Sequence, residues 1–370
     1  MYNVLLIGSS SGVIDIAKKI KGYGFRLIVL GGIHNDPAHS IADESIYNNY
    51  NDIKSCISAC KNLDIKFIVP GSNDIAFDCA LAIAADHGIH TFDSQKIINQ
   101  LHNKMMFRQL IKKLSISQPK TYKKNELKNH DFSRSKIIVK PNLAFSGNGI
   151  TVVDDYEKLD AAIKHATEVS RNGEITLEQF ISGGLFSIST FVSKEEIAFR
   201  FFANEFCRLN SFAVDYSFTP SNLPSSVQSE ILKDVDKIIK YLSLKDGLLH
   251  IQFIYDENEK KYYFIECMRR MIGDFYGKKI SLAYDVDYTD LYIKPYLNKE
   301  IIKNNLFQNP KEIHRKVIGY KDLHFFESVT IAPDEKVVEF VPLAISGVEI
   351  KEFPHGKSGI LFFEKDNNQC

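Results

Sequence analysis

Tryptophan is absent from the 370 residues, and so is net charge, because 46 basic side chains face 46 acidic ones. Balanced charge excludes the broad basic footprint that nucleic acid or an anionic membrane surface would require; a few local lysines and arginines still suffice for a small anion. The six cysteines (Cys56, Cys60, Cys79, Cys207, Cys267 and Cys370) form no CxxC pair and no metal-type spacing. That excludes a zinc ribbon and, in a chain this long, a disulfide framework. No segment approaches the roughly 18 uninterrupted apolar residues of a membrane span. The opening MYNVLLIGSSSG has no basic leader of the kind a signal peptide carries. A cytoplasmic protein is expected, with no nucleic-acid and no membrane partner.

What is present is an ordinary globular mixture, 44% hydrophobic and 25% charged, long enough for two or three domains. NVLLI (Asn3–Ile7), the turn GSSSG, an amphipathic stretch to Tyr23 and RLIVLGG (Arg26–Gly32) read as strand, turn, helix and strand. That is a βαβ unit on a parallel sheet. Helix over 51–62, strand KFIVPG and helix over 75–87 repeat the pattern, so residues 1–100 read as a small doubly wound α/β domain. GSSSG lacks the third glycine of a dinucleotide fingerprint, and the second strand closes on Gly31 and Gly32 rather than on an acid. It reads as a tight turn whose helix N-terminus can hold a carboxylate or phosphate.

Three later segments carry chemistry. In IIVKPNLAFSGNGITVV (Ile137–Val153) a lysine, Lys140, ends an apolar strand directly before a glycine loop. A strand fixes the lysine charge, and a glycine loop brings backbone N–H groups close to phosphate oxygens; a plain hairpin has the same look. In ITLEQFISGG, Glu178 ends a strand before two glycines. Its carboxylate, or the backbone after it, can receive an adenine amino group, and an exposed strand-end charge is the ordinary alternative. In LLHIQFIYDENEKKYYFIECMRR, Gln252 and Glu266 lie on strands joined by a turn at Glu257–Lys260. Alternation can put both on one face, as two oxygen ligands for Mg²⁺ or as the solvent side of a hairpin. Arg269 and Arg270 follow and suit a phosphate or a substrate carboxylate.

These segments occur in order, and with Asn103–Lys104 they resemble the ATP-grasp superfamily over roughly residues 1–280. The nearest likeness is to its carboxylate–amine ligases, the carbamoyl-phosphate-synthetase-like and L-amino-acid-ligase-like branch. The resemblance implies an α/β fold: an N-terminal doubly wound parallel domain (1–100), then an ATP-grasp fold of two α+β lobes gripping ATP (101–300, lid subdomain about 115–180), then a β-rich C-terminal lobe (301–370). It implies that Lys104 and Lys140 contact ATP phosphates and that Ser146, Gly147 and Gly149 belong to a lid over them. Glu178, with the backbone of Phe180 and Ile181, would hold adenine. Gln252 and Glu266 would bind Mg²⁺, with Mn²⁺ as an alternative ion, and Arg270 would serve the transferred phosphate. His250 is a weaker candidate, with a structural histidine as the alternative. GSSSG and PGSND (Pro70–Asp74) would line the carboxylate side, and HGKSG (His355–Gly359) reads as a hairpin turn. No chemistry is assigned to 310–370.

Three positions depart from the family's pattern. Met268 stands where members carry a metal-binding asparagine, Gln252 where an acid is commoner, and Leu185 where a ribose-binding glutamate is usual. The implied activity is an ATP-dependent ligase joining a small carboxylic acid, such as an amino acid, to an amine through an acyl phosphate. A homodimer is expected by analogy. A small-molecule kinase of the same fold, and a nucleotide-binding protein without turnover, are the alternatives.

Overall fold

The computed structural model describes residues 1–144, 147–303 and 309–365. Ser146, expected in the lid loop, lies outside the described residues, as does Cys370. The N-terminal sheet holds β1 (Asn3–Ile7), β2 (Arg26–Leu30), β3 (Glu44–Ile46) and β4 (Ile65–Pro70) in the order β3-β2-β1-β4. All its pairs are parallel. Val4 to Ile7 and Leu27 to Leu30 are fully buried, as befits strands covered on both faces. The covering helices include α1 (Ile14–Gly22), α2 (Ile53–Cys60) and α3 (Asp74–Asp86). Helix α3 begins at the end of β4 because Asn73 caps it, its Oδ1 accepting from the Ala76 N–H at 2.8 Å.

Two short helices, α4 (Gln95–His102) and α5 (Lys104–Lys113), lead out of this domain. Next comes a small antiparallel sheet of β5 (Thr121–Tyr122), β6 (Ile137–Pro141), β7 (Thr151–Val153) and β8 (Ile175–Gln179), in the order β5-β8-β6-β7. Helix α6 (Leu159–Val169) covers it. Its core, built on Leu127, Ile137, Val139, Val153, Leu159 and Leu177, is separate from the others.

The remaining chain builds one large antiparallel sheet. Its first five strands are β9 (Gly184–Ser193), β10 (Glu196–Phe206), β11 (Tyr216–Thr219), β12 (Gly247–Asp256) and β13 (Lys261–Met268). Helix α7 (Ser225–Leu242) packs its apolar stripe on this sheet, and α8 (Tyr276–Tyr284) and α9 (Tyr288–Ile293) follow β13. Then come β14 (Ile313–Ile318), β15 (His324–Phe325), β16 (Glu335–Pro342), β17 (Glu349–Ile350) and β18 (Gly359–Lys365). The order is β13-β12-β9-β10-β11-β14-β18-β16, with β15 and β17 forming a separate pair. Where a C-terminal lobe is expected over 301–370, β14 pairs with β11, and β14, β18 and β16 extend the sheet that precedes them. The reason is local chemistry, since the largely buried strands IHRKVI and GILFF have backbone edges that a neighbouring strand satisfies. Among the described residues the five cysteines are free, and no helix is long and apolar enough to cross a membrane.

Candidate active site

A cavity of about 610 Å³ lies between the small sheet and the large one, within the usual size for a small-molecule site. Its apolar part is lined by Pro119, Ile138, Phe180, Ile181, Phe186 and Ile265, and its polar part by Lys104, Lys140, Gln252, Glu266 and Arg270. A second cavity of about 420 Å³ adjoins it, reaching Ser72, Asn73 and Asp74 of the N-terminal domain. Gln252, Glu266, Arg270, Glu205 and Gly147 line both.

Lys104 is the first residue of α5. Asn103 caps that helix through Oδ1 and the Met106 N–H (3.0 Å), while Asn142 Oδ1 accepts from the Met105 N–H (3.1 Å). The lysine is thereby fixed at a helix N-terminus, where orphan N–H groups favour anions. Its Nζ donates to Glu266 Oε1 at 2.9 Å. Burial raises the Glu266 carboxyl, but the Lys104 ammonium outweighs it and holds the group below its ordinary value.

Lys140 ends β6, and its Nζ donates to Glu178 Oε2 at 2.9 Å. Arg108 of α5 takes the same carboxylate from the other side, Nε to Oε1 at 2.9 Å and Nη2 to Oε2 at 3.3 Å, and also donates to the Ile265 carbonyl at 2.8 Å. The three are buried, at 0% exposure for Glu178, 3% for Arg108 and 7% for Lys140. Burial pushes the Glu178 carboxyl up, but Arg108 and Lys140 together bring it down to about 2. Burial lowers Lys140, partly offset by Glu178. The Glu178 carboxylate, expected with the backbone after it to hold adenine, faces these cations. Its two oxygens are taken by the two cations, and it is Gln179, Phe180 and Ile181 that line the cavity.

Gln252 of β12 stands directly opposite Glu266 of β13 in the antiparallel register, which puts both on the cleft face. Gln252 Nε2 donates to Glu205 Oε2 at 2.6 Å. Arg270 makes a bidentate pair with Asp74 at the start of α3, and burial leaves that pair in place: the Asp74 carboxyl is held well below the usual range by Arg270. PGSND thus reaches the site. GSSSG does not, as Ser9 Oγ donates to Asp36 at 2.6 Å and only Gly12, beside Ser72, comes near.

Two candidates prove structural. Arg269 is spent on Asp93 (Nε, 2.8 Å) and on the carbonyls of Leu248 and Lys245. His250 is 1% exposed, its Nδ1 lies 2.9 Å from Ser189 Oγ, and burial lowers it to about 3, which keeps it neutral.

Five residues were missed. Arg108 sits four places after Lys104, on the same helix face, and that spacing was a usable signal. Glu205 gave no signal. Arg315 lies between His314 and Lys316 in β14, 2% exposed, with Nε donating to the Asp274 carbonyl at 2.8 Å. Lys357 lies in HGKSG and its Nζ reaches Asp274 Oδ1 at 2.5 Å. Asp274 and Phe275 both have left-handed φ (56° and 53°), a costly conformation of the kind that collects at functional sites. Arg315, Lys357 and Asp274 all line the second cavity, so 310–370 contributes side chains to the cleft.

The chemistry of the donors fits a nucleotide and a hard divalent cation. Glu266 and the Gln252 amide offer oxygen, as Mg²⁺ requires. Among the described residues no group of three or more His, Cys, Asp or Glu is placed to hold a metal ion.

A family model described as "ATP-grasp domain" matches residues 101–274. The chain is 24% identical over 319 residues to the formate-dependent phosphoribosylglycinamide formyltransferase of Prochlorococcus marinus, covering 82% of this chain and 78% of that one. L-amino acid ligase from Bacillus licheniformis superposes with a TM-score of 0.79 at 15% identity, covering 100% of this chain and 95% of that one. The biotin carboxylase domain of 2-oxoglutarate carboxylase from Hydrogenobacter thermophilus, solved as a dimer with MgADP and bicarbonate, gives 0.79 at 14% identity, covering 98% and 86%.

Proposed function

We propose, from the match of residues 101–274 to the ATP-grasp domain model, that the protein is an ATP- and Mg²⁺-dependent ligase. It joins a carboxylic acid, an amino acid or another small metabolite, to an amine through an acyl phosphate, releasing ADP and phosphate. One observation carries this reading: the two cavities meet at a shared wall of Gln252, Glu266 and Arg270. A phosphoryl group leaving a nucleotide in the larger cavity enters the smaller one at that wall. The names of the relatives, a formyltransferase, an amino acid ligase and a carboxylase, support it.

In this reading the backbone of Phe180 and Ile181 holds adenine between Ile138, Pro119 and Ile265. Lys104 and Lys140 take the phosphates from two fixed elements, and Gly147 and Gly149 cover them. Gln252 and Glu266 would hold Mg²⁺, or Mn²⁺ in its place, and the ion supplies charge neutralisation on the phosphates. Arg270 stabilises the phosphoryl group in transfer. Arg315 and Lys357 bind the acid's anionic group, and closing the cleft keeps water from the acyl phosphate.

The test is ADP release from ATP with pooled acids and amines. Release that needs both components is expected, and Lys140→Ala should abolish it. Release with one acceptor alone would replace the ligase by a kinase, and bound ATP with no release under any pool would replace it by a binding protein.

A further inference from the structure

Gln252 is neutral, yet a divalent cation favours charged oxygen. The missing charge lies two strands away. In the large sheet β9 runs between β12 and β10, with Gln252 opposite Ser187 and Glu205 opposite Leu185. Residues 185 and 187 share a face, so Gln252, Glu205 and Glu266 all point into the cleft. The backbones of β12 and β10 are separated by two strand spacings, roughly 9.6 Å. Ser187 between them is small and fully buried, which lets the two long side chains meet above it, Nε2 to Oε2 at 2.6 Å. The other Glu205 oxygen accepts from Tyr276 Oη at 2.9 Å, and Tyr276 also bonds Ser187. Lys279 lies over the Tyr276 ring at 3.4 Å and donates to Ser217 Oγ at 2.6 Å. Glu205 is thus 3% exposed and held on both oxygens.

We propose that Glu205 is the positioning residue that makes Gln252 a metal ligand. By accepting from Nε2 it fixes the amide so that Oε1 is the end presented to the ion, and it places the carboxylate charge that Gln252 lacks one hydrogen bond from the metal. This rests on the ATP–metal reading of the cleft. Partners that orient a ligand in this way are typically worth about 10–100-fold in metal affinity.

The experiment is Mn²⁺ binding to the full chain with a non-hydrolysable ATP analogue, read by electron paramagnetic resonance. Glu205→Gln should weaken Mn²⁺ binding at least about tenfold, and Glu205→Gln combined with Gln252→Glu, which exchanges acid and amide, should restore it to within about threefold. Should Glu205→Gln fail to fold, the exchanged pair alone decides: normal binding supports the proposal and loss overturns it. Unchanged affinity in Glu205→Gln, or no recovery in the exchanged pair, overturns it as well. Glu266→Gln serves as the control. If wild type binds Mn²⁺ and Glu266→Gln does not, a negative result sinks the role of Glu205 alone; if wild type binds none, the metal reading itself fails.

Discussion

Replacing Glu178 by glutamine keeps the side chain's volume and removes one charge from a buried set of three. In the native protein its carboxyl titrates near 2, against 4.5 when unperturbed, which corresponds to about 3 kcal/mol of stability at neutral pH. Leaving Arg108 and Lys140 without their counter-ion falls in the same range, about 3–5 kcal/mol for breaking a buried pair from one side. The sign follows from proton binding. The unfolded carboxyl holds its proton to higher pH than the folded one, so the stabilisation is complete above about 4.5 and is lost as pH falls through about 2. Urea unfolding of wild type and Glu178→Gln should therefore differ by about 3 kcal/mol at pH 7, and more than half of that gap should be gone by about pH 3. A gap below about 1 kcal/mol at pH 7, or one that persists unchanged at pH 3, would refute the electrostatic account of the triad.

Gly149 has φ +73°, and an added Cβ would stand 2.7 Å from Pro141 Cγ and 2.9 Å from Val169 Cβ. Gly149→Ala should destabilise the small sheet by about 2 kcal/mol or more, seen as faster limited proteolysis between 115 and 180 while the N-terminal domain keeps its protection. Arg315→Gln should raise the KM for the acid at least about tenfold while the Kd for ATP, measured by calorimetry, stays within about twofold. Equal loss of both would place Arg315 outside the acid site.

The strands bearing Lys140, Glu178, Gln252 and Glu266 were legible because each is a local pattern: an apolar run of period two ending at a polar residue or a glycine. The Gln252–Glu266 pairing followed from a hairpin turn of a few residues. The partners of these side chains were not legible. Arg108 meets Glu178 across 70 positions, Gln252 meets Glu205 across 47, and Arg270 meets Asp74 across 196. The Gln252–Glu205 contact depends on the strand order β12-β9-β10, and the other two on how α5 meets β8 and α3 meets the end of β13, which no single segment encodes. The same cause hid the reach of 310–370. An arginine in IHRKVI and a lysine in HGKSG look ordinary until β14 is laid beside β11 and β18 beside β14, which brings both side chains to Asp274.

The partners left unread share a property that bears on mechanism. Each cation of the cleft already has a carboxylate: Lys104 has Glu266, Lys140 has Glu178, Arg270 has Asp74, and Arg315 and Lys357 have Asp274. A buried cation without a counter-ion would cost several kcal/mol or give up its proton, so the pairs keep these groups charged and in place before any anion arrives. Binding is then an exchange of partners with little reorganisation, the condition under which fixed charges are most effective on a transferring phosphoryl group. The exchange is unequal across the site. Glu178 is also held by Arg108, so in the proposed reading it would stay put while Lys140 alone turned toward phosphate. Glu266 has no second cation within bonding distance among the described residues, so in the proposed reading a Lys104 that moved to the nucleotide would free a carboxylate oxygen facing Gln252. A divalent cation would be wanted there, which would tie the arrival of the metal to the arrival of the phosphates.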